Sequence, residues 1–498
     1  MQAHRIFCRL TAVAVLVACI APLPVLAQAP KPILVGQPFI AAGTDPIKAN
    51  NGWSLTSHGI AQNLFIVGKD GVVAPWLATA ADRVDDKTWL IRLRSDVTFS
   101  DGSPMTAGDV GAALVRSNEL SGPARASTGR IATSVVDQHT LRIDTERLVP
   151  NMASALADWP QVIYKVVGDN FLFTGPYQVA SMTAGDEFKL VPNPHYPGAS
   201  KRPAVRIKYF GDTQAMALAL QSGELDMAFG VPAETLARIA ARPGLTARTM
   251  VDGYMYVLLT NQARAPLDDL RVRRAIDLAI DRDVLVKAGK GGVATGAIFA
   301  PNFPYTLQRT QSPDPRQAAA LLDEAGWKPG ADGIRVKEGK RLALTVVCVS
   351  SWPDLLVYAP VMKAQLAAIG IELQPRMVES LLPVANAGDF DLLFRFTHTG
   401  RAGDPTLFLN DSLKSGAVRN WGKYRGPDLD AVLAKLESEL DPAKRTELVL
   451  EAQRVIARDL PLIAVSQGPF HVGLSAKLKD YALWGADYYI VRDDFAMQ

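Results

Sequence analysis

The residues able to do chemistry are few and scattered. Six histidines and three cysteines stand among 498 residues. Past an N-terminal leader, the histidines are His58, His139, His195, His398 and His471. No two lie three to five residues apart, so no local metal clamp is visible. Three cysteines make neither a disulfide framework nor a four-thiolate zinc site. The chain holds no G-x-S-x-G elbow, no H-E-x-x-H and no G-x-x-x-x-G-K-[ST] loop. Gly289-Lys290-Gly291-Gly292 is followed by no dinucleotide fingerprint and reads as a loop. Any site must therefore be assembled from distant segments, or use a metal that a ligand brings with it.

Composition narrows the class further. The chain is 48% hydrophobic and 21% charged, ordinary globular usage. Its length allows about three domain-sized units at roughly 100–200 residues each. A net charge of +3 gives no field for nucleic acid. Residues 1–9 carry Arg5 and Arg9 and no acid, residues 10–20 are apolar, and Val25-Leu26-Ala27 is a small-residue cleavage pattern. This reads as a secretory signal peptide, residues 1–27, too short to span a membrane. Leu16-Val17-Ala18-Cys19 offers an alternative lipoprotein box with Cys19 as anchor. With the cut after Ala27, Cys348 is the remaining cysteine, expected as a small buried hydrophobe in LALTVVCVSS.

The elements that position any site alternate between strand and helix. Apolar runs at residues 33–35, 88–93, 141–143, 205–209, 344–349 and 392–394 predict strands. Thr106 and Asp109 form a capping box, Asp269 caps an apolar-faced helix, and Asp314-Pro315 starts another that Gly326 stops. Residues 427–440 and 443–459 predict a helix pair broken at Asp441-Pro442. The order argues an α/β build.

A collinear series of segments carries a resemblance. It begins with residues 64–67, Asp70-Gly71, Ala74-Pro75-Trp76-Leu77-Ala78 and Lys87-Thr88-Trp89. Phe99-Ser100-Asp101-Gly102-Ser103-Pro104, Thr174-Gly175-Pro176-Tyr177, Asn193 with Tyr196, and Ser222-Gly223-Glu224-Leu225-Asp226 follow. Asp269 to Arg274, Ala279-Ile280-Asp281-Arg282, Ala318 to Trp327, Gly403-Asp404-Pro405 and Asn420 with Tyr424 complete it. Together they resemble the family 5 extracytoplasmic solute-binding proteins of ABC transporters, the dipeptide, oligopeptide and nickel-binding type. The resemblance implies an α/β periplasmic-binding-protein type II fold, two lobes with an extra subdomain in lobe I. Lobe I is expected at 28–255 with a return at 470–498, the subdomain at about 56–173, and lobe II at 256–469. Trp76 and Trp89 are expected to pack rather than touch ligand.

The same resemblance singles out a cleft. Dipeptide-type members carry a tryptophan where His398 stands and, where Arg401 stands, an aspartate that pairs with the peptide's α-amino group. Arginine repels an ammonium and suits a carboxylate. His398 and His58 are the candidate metal contacts, expected to meet at one ligand. Trp53 and Ser54 share a segment with His58. Arg419 and Asn420 lie near a functional histidine of nickel-type members, absent here. Trp159 and Tyr164 are expected as an aromatic wall, and Asp404 as an Asp-Pro turn. Tyr254 and Tyr256 precede the expected hinge.

The expectation is a non-enzymatic periplasmic solute-binding component, delivering solute to an inner-membrane permease and ATPase complex. It takes no cofactor beyond a ligand-borne metal, binds no nucleic acid and works as a monomer. The ligand is expected to be an anionic metal chelate, an opine-like compound or a nickel complex, with a short peptide as the alternative. A secreted hydrolase or a solute sensor are the readings from other classes.

Overall fold

The computed structural model describes residues 31–498 apart from Ser351, Ala486 and Gln498. The leader and Cys19 lie outside the described residues. Residues 32–498 pack as one unit. Its backbone is an eleven-stranded sheet. In chain order the strands are β1 Ile33–Gln37, β2 Tyr177–Thr183, β3 Glu187–Pro192, β4 Val205–Tyr209, β5 Met227–Phe229 and β6 Leu245–Thr260. They continue as β7 Val293–Ala294, β8 Ala343–Val349, β9 Glu372–Val378, β10 Leu392–His398 and β11 Leu462–Ser475. The spatial order is β2-β3-β4-β1-β5-β11-β6-β10-β8-β9, with β7 on β11.

Two halves share this sheet. β4, β1 and β5 run parallel, with helix Thr213–Ser222 in the crossover from β4 to β5. Asp212 caps that helix, and Gly223, at φ +85°, ends it where a side chain would be strained. The other half is parallel across β10, β8 and β9. Alternation along β1 puts Ile33 and Val35 into one core and Leu34 against another. Cys348 is buried in the β8 core, and burial pushes its thiol up to about 12.

The long antiparallel strands β6 and β11 tie the halves together, pairing from Leu245 with Ser475 to Leu259 with Leu462. Their register breaks between Val251 and Met255, opposite Pro469 and Gln467. Such a bulge frees a few residues from the ladder and re-aims them. Here they are Asp252, Gly253 and Tyr254.

Between β1 and β2 the chain builds a smaller body. A four-stranded antiparallel sheet, Ala78–Arg83, Thr88–Leu93, Thr140–Thr145 and Ile131–Asp137, packs on helix Ala107–Leu120 around its own core. The capping box of Thr106 and Asp109 starts that helix. Trp89 is buried in this core, while Trp76 edges onto Tyr489. Asp269 and Asp314 cap their helices as predicted, and at the expected break Asp441 caps a helix whose first residue is Pro442, one before the start expected at 443.

Candidate functional site

The bulge in β6 faces the end of β10, where Tyr254 pairs with His398. Beyond His398 the chain turns through Thr399 and Gly400 into a short helical turn, Arg401–Gly403. Gly400 is required there, since a Cβ would sit 2.4 Å from the Tyr305 hydroxyl. The turn aims Arg401 at the C-terminus of helix Met152–Ala157, which ends at Asp158. The chain's final segment brings Asp487, Tyr488 and Tyr489 alongside. A small pocket results, lined by Asp158, Trp159, Asp252, His398, Arg401 and Tyr488 among others.

Arg401 is the cation of this cavity. Its Nε lies 3.0 Å from Asp158 Oδ1, and its side chain is 26% exposed against 0% for the aspartate. Asp158 is otherwise satisfied: Oδ1 accepts from the Trp159 amide at 3.0 Å and Oδ2 from Ser127 Oγ at 2.8 Å. That network fixes the carboxylate; the guanidinium Nε faces it as an ion pair without hydrogen-bond geometry. Among the described residues, no protein acceptor takes a hydrogen bond from the terminal amines of Arg401, so the fork remains for a guest.

His398 is neutral. Burial first, then the charge of Arg401, pushes its ring down to about 3. It sits edge-on to Tyr254 at 5.1 Å and Tyr488 at 5.7 Å, and stacks on Phe303 at 6.4 Å. Its Nδ1 is buried without a partner. A neutral imidazole with an unspent nitrogen can accept a hydrogen bond or ligate a metal.

Asp252, Asp487 and Tyr488, missed in the sequence as was Asp158, complete the surroundings. Asp487 Oδ2 accepts from Tyr254 Oη at 3.2 Å while Oδ1 is buried without a partner. Burial pushes this carboxyl up to about 7, and that of Asp252 to about 6. Tyr488 links Arg401's cavity to Trp53, whose ring stacks on Phe39 at 4.3 Å and lies 6.4 Å from Tyr488. Trp484-Gly485-Ala486-Asp487-Tyr488-Tyr489 is a dense cluster of aromatics and acid, the signal that could have drawn attention to this tail.

The structure brings together Arg401, His398 and Trp159, with Trp53 at the edge. It does not bring His58 to them. His58 is fully buried between Phe39, at 6.3 Å, and Phe188, at 5.6 Å, with both ring nitrogens unpartnered and its pKa pushed by burial to about 3. The expected meeting of two histidines is corrected accordingly: Phe39, Trp53 and Tyr488 stand between their environments. Ser54 is buried in the short helix Asn51–Ser57, where its carbonyl accepts from the His58 amide. Arg419 pairs instead with Asp411 at 3.1 Å near the surface. Asn420 braces its own turn, bonding the backbone of Lys414 and Tyr424. Tyr164 is buried, its hydroxyl 3.1 Å from Arg116 Nη1, so it forms no cleft wall. Asp404 accepts from the Thr406 amide and pairs with Arg445, a turn brace. Among the described residues no group of three or more His, Cys, Asp or Glu is placed to hold a metal ion.

Comparison with known proteins agrees with this architecture. The family described as bacterial extracellular solute-binding proteins, family 5 Middle, matches residues 72–420, more than half the chain. The chain belongs to that family. It is 28% identical over 481 residues to the glutathione-binding protein GsiB of Salmonella typhi, covering 90% of this chain and 91% of that one. It is 25% identical over 465 residues to the periplasmic oligopeptide-binding protein OppA of Salmonella typhimurium, covering 83% and 82%. The crystal structure of NikA from Brucella suis in complex with Fe(III)-EDTA superposes at a TM-score of 0.82 and 22% identity, over 92% and 98% of the two chains. The fold is thus the two-lobed, type II periplasmic-binding-protein fold. The chain is the substrate-binding kind of component found in ABC importers, a solute-binding protein rather than an enzyme. No helix among the described residues is long and apolar enough to cross a membrane.

Proposed function

We propose that this solute-binding protein captures a small carboxylate-bearing solute in the periplasm and hands it to a dedicated permease and ATPase pair. The unspent guanidinium fork of Arg401, held by buried Asp158, carries this reading. A fork of fixed geometry in a partly dry cavity matches a carboxylate bidentately. Lobe I spans 28–255 and 470–498 with its subdomain at about 56–173, and lobe II spans 256–469. β6 and β11 are the strands that cross between them. Export follows from the leader at 1–27, with a lipid anchor at Cys19 as the alternative; solute sensing uses the same binding step.

Two ligand classes fit a carboxylate anchor. A metal chelate or opine-like compound gains a direct contact from the neutral ring of His398, with the metal as cargo. A small acidic peptide is supported by the likeness to a glutathione-binding protein and by the buried carboxyls of Asp252 and Asp487. Native mass spectrometry with metal analysis, on protein purified from its own periplasm, separates them. A co-purified metal complex favours the first class, and a metal-free peptide the second. With either ligand, Arg401→Gln is expected to weaken binding by roughly 10- to 100-fold, the effect of losing a hydrogen bond to a charged group. An unchanged affinity would overturn the carboxylate reading.

A further inference from the structure

Tyr489 lines the pocket around Arg401 and also a separate, larger cavity of about 300 Å³. That size reaches the range of small-molecule sites. Three stretches of the chain build it: residues 56–76, Pro176 with Tyr196, and the final segment from Trp484 to Asp494. Trp76, Tyr196, Trp484 and Tyr489 bring rings to its wall. Trp76 meets Tyr489 edge-on at 5.9 Å, and Trp484 lies 5.3 Å from Tyr489. Gly485, at φ +74°, lets the segment fold Trp484 back there, where a Cβ would strike the Tyr489 ring.

The polar groups of the floor are spent. Thr56 Oγ1 donates to the Gly52 carbonyl at 3.0 Å. Gln62 Oε1 accepts from Trp76 Nε1 at 2.9 Å, and its Nε2 donates to the Thr174 carbonyl at 2.9 Å. The rim differs. Arg492, its side chain 9% exposed, donates from Nη2 to the Ala482 carbonyl at 2.8 Å and to Asp494 Oδ2 at 2.9 Å. Its Nη1 has no partner, and an orphaned donor beside a cavity is what a guest's oxygen satisfies. Asp493 spends its backbone carbonyl on Arg202, and among the described residues its carboxylate enters no ion pair. Rings below a rim of donors and acceptors suit a compact molecule with apolar C–H faces and a polar edge, since electropositive C–H groups stack on the negative faces of aromatic rings. An organic cation matches less well. The Arg492 guanidinium already sits over Trp484 at 5.2 Å and Tyr481 at 4.8 Å, and already pairs with Asp494.

We propose that this cavity is a second binding site, apart from the pocket of Arg401, and that it takes a neutral pyranose. The C–H face of the sugar packs on the rings, and its hydroxyls meet Arg492, Asp493 and Asp494. A free sugar and the terminal unit of a glycan share that chemistry.

Fluorine NMR on the mature chain labelled with 5-fluorotryptophan tests this, since each of the eight tryptophans reports separately. The probes are methyl β-glucopyranoside, N,N′-diacetylchitobiose and choline. At least one saccharide is expected to shift the Trp76 and Trp484 resonances saturably, while Trp327 and Trp421, buried in other cores, stay in place. Choline is expected to bind at least about tenfold more weakly. Trp484→Ala and Asp493→Ala, both at the rim, are each expected to weaken saccharide binding about tenfold, read at Trp76. Tighter binding of the disaccharide identifies a glycan end, and tighter binding of the glucoside a free sugar; either order upholds the site. No saturable shift at Trp76 and Trp484 with either saccharide, an equal shift of all eight resonances, choline binding as tightly, or unchanged affinity in either variant overturns the proposal.

Discussion

Asp487 shows how a pocket-lining residue can work against the fold that carries it. Burial holds its carboxyl up to about 7, whereas an unfolded chain releases that proton near pH 4. The native state therefore holds a proton that the unfolded state has lost between those values. Stability from this group is complete below about pH 4 and is lost as pH rises through 7. Asparagine copies the protonated acid, so Asp487→Asn is expected to raise the stability of the ligand-free protein at pH 8. The upper bound is about 4 kcal/mol, at 1.36 kcal/mol per pH unit. Below pH 4 the two proteins should melt alike. Denaturant titrations at pH 4 and pH 8 measure both arms, and an equal gain at the two values would mean that packing, not ionisation, explains it. His398 has the opposite sign. Its native ring refuses a proton that the unfolded chain takes up below about 6.5, so its contribution is lost as pH falls toward 3. Buried groups held in such states cluster at functional sites.

At the scale of elements, the bulge in β6 sets the site. Between Val251 and Met255 the ladder with β11 lapses, and Gly253 presents its backbone to the ring of His398 on β10. A Cβ on Gly253 would lie 2.2 Å from His398 Cε1. The ring is the far end of a side chain and can swing away. Gly253→Ala is therefore expected to change the melting temperature little while lowering ligand affinity, about tenfold if His398 supplies one good hydrogen bond. Calorimetric unfolding and ligand titration on the same variant check this, and unaltered affinity would remove His398 from the site. Such elements were legible where their signals are local. Thr106 with Asp109, Asp269, Asp314 and Asp441 announce helix starts within four residues, and the apolar run at 344–349 becomes a buried strand. Arg401 and His398 were found because one motif carries both. Asp158 and Asp487 were not, since neither has a local pattern. Asp158 gains its meaning only from Arg401, far along the chain, and Asp487 only where the final segment returns beside β6. His58 was misplaced for the same reason. Its neighbours in sequence suggested a cleft, but Phe188 on β3, which closes over it, lies well over a hundred residues on.

For the whole molecule, the contacts across the site describe a closed clasp. Arg401 meets Asp158, Asn302 Nδ2 donates to the Lys69 carbonyl at 2.8 Å, and Gln467 Nε2 bonds both the Asp252 carbonyl and Asn302 Oδ1. In the proposed division, Arg401 and Asn302 belong to lobe II, and Asp158 and Lys69 to lobe I. An ion pair between lobes favours the closed form with or without a guest. The ligand then shifts the opening equilibrium only by its own differential affinity. Breaking a buried pair by removing one partner costs roughly 3–5 kcal/mol. That cost is for a charge left buried alone; opening the lobes returns both groups to water, so the net contribution of the pair to closure is smaller. Asp158→Asn keeps an oxygen for the Trp159 amide while discharging the pair. It is expected to increase the radius of gyration of the ligand-free protein in small-angle scattering, with bound ligand restoring the wild-type value. The same variant should show a larger compaction on binding than the wild type, since part of the work of closing passes from the protein to the ligand. Identical scattering of the two empty proteins would mean that β6, β11 and the Asn302 contact hold the closed form alone, and that Asp158 serves only to orient Arg401.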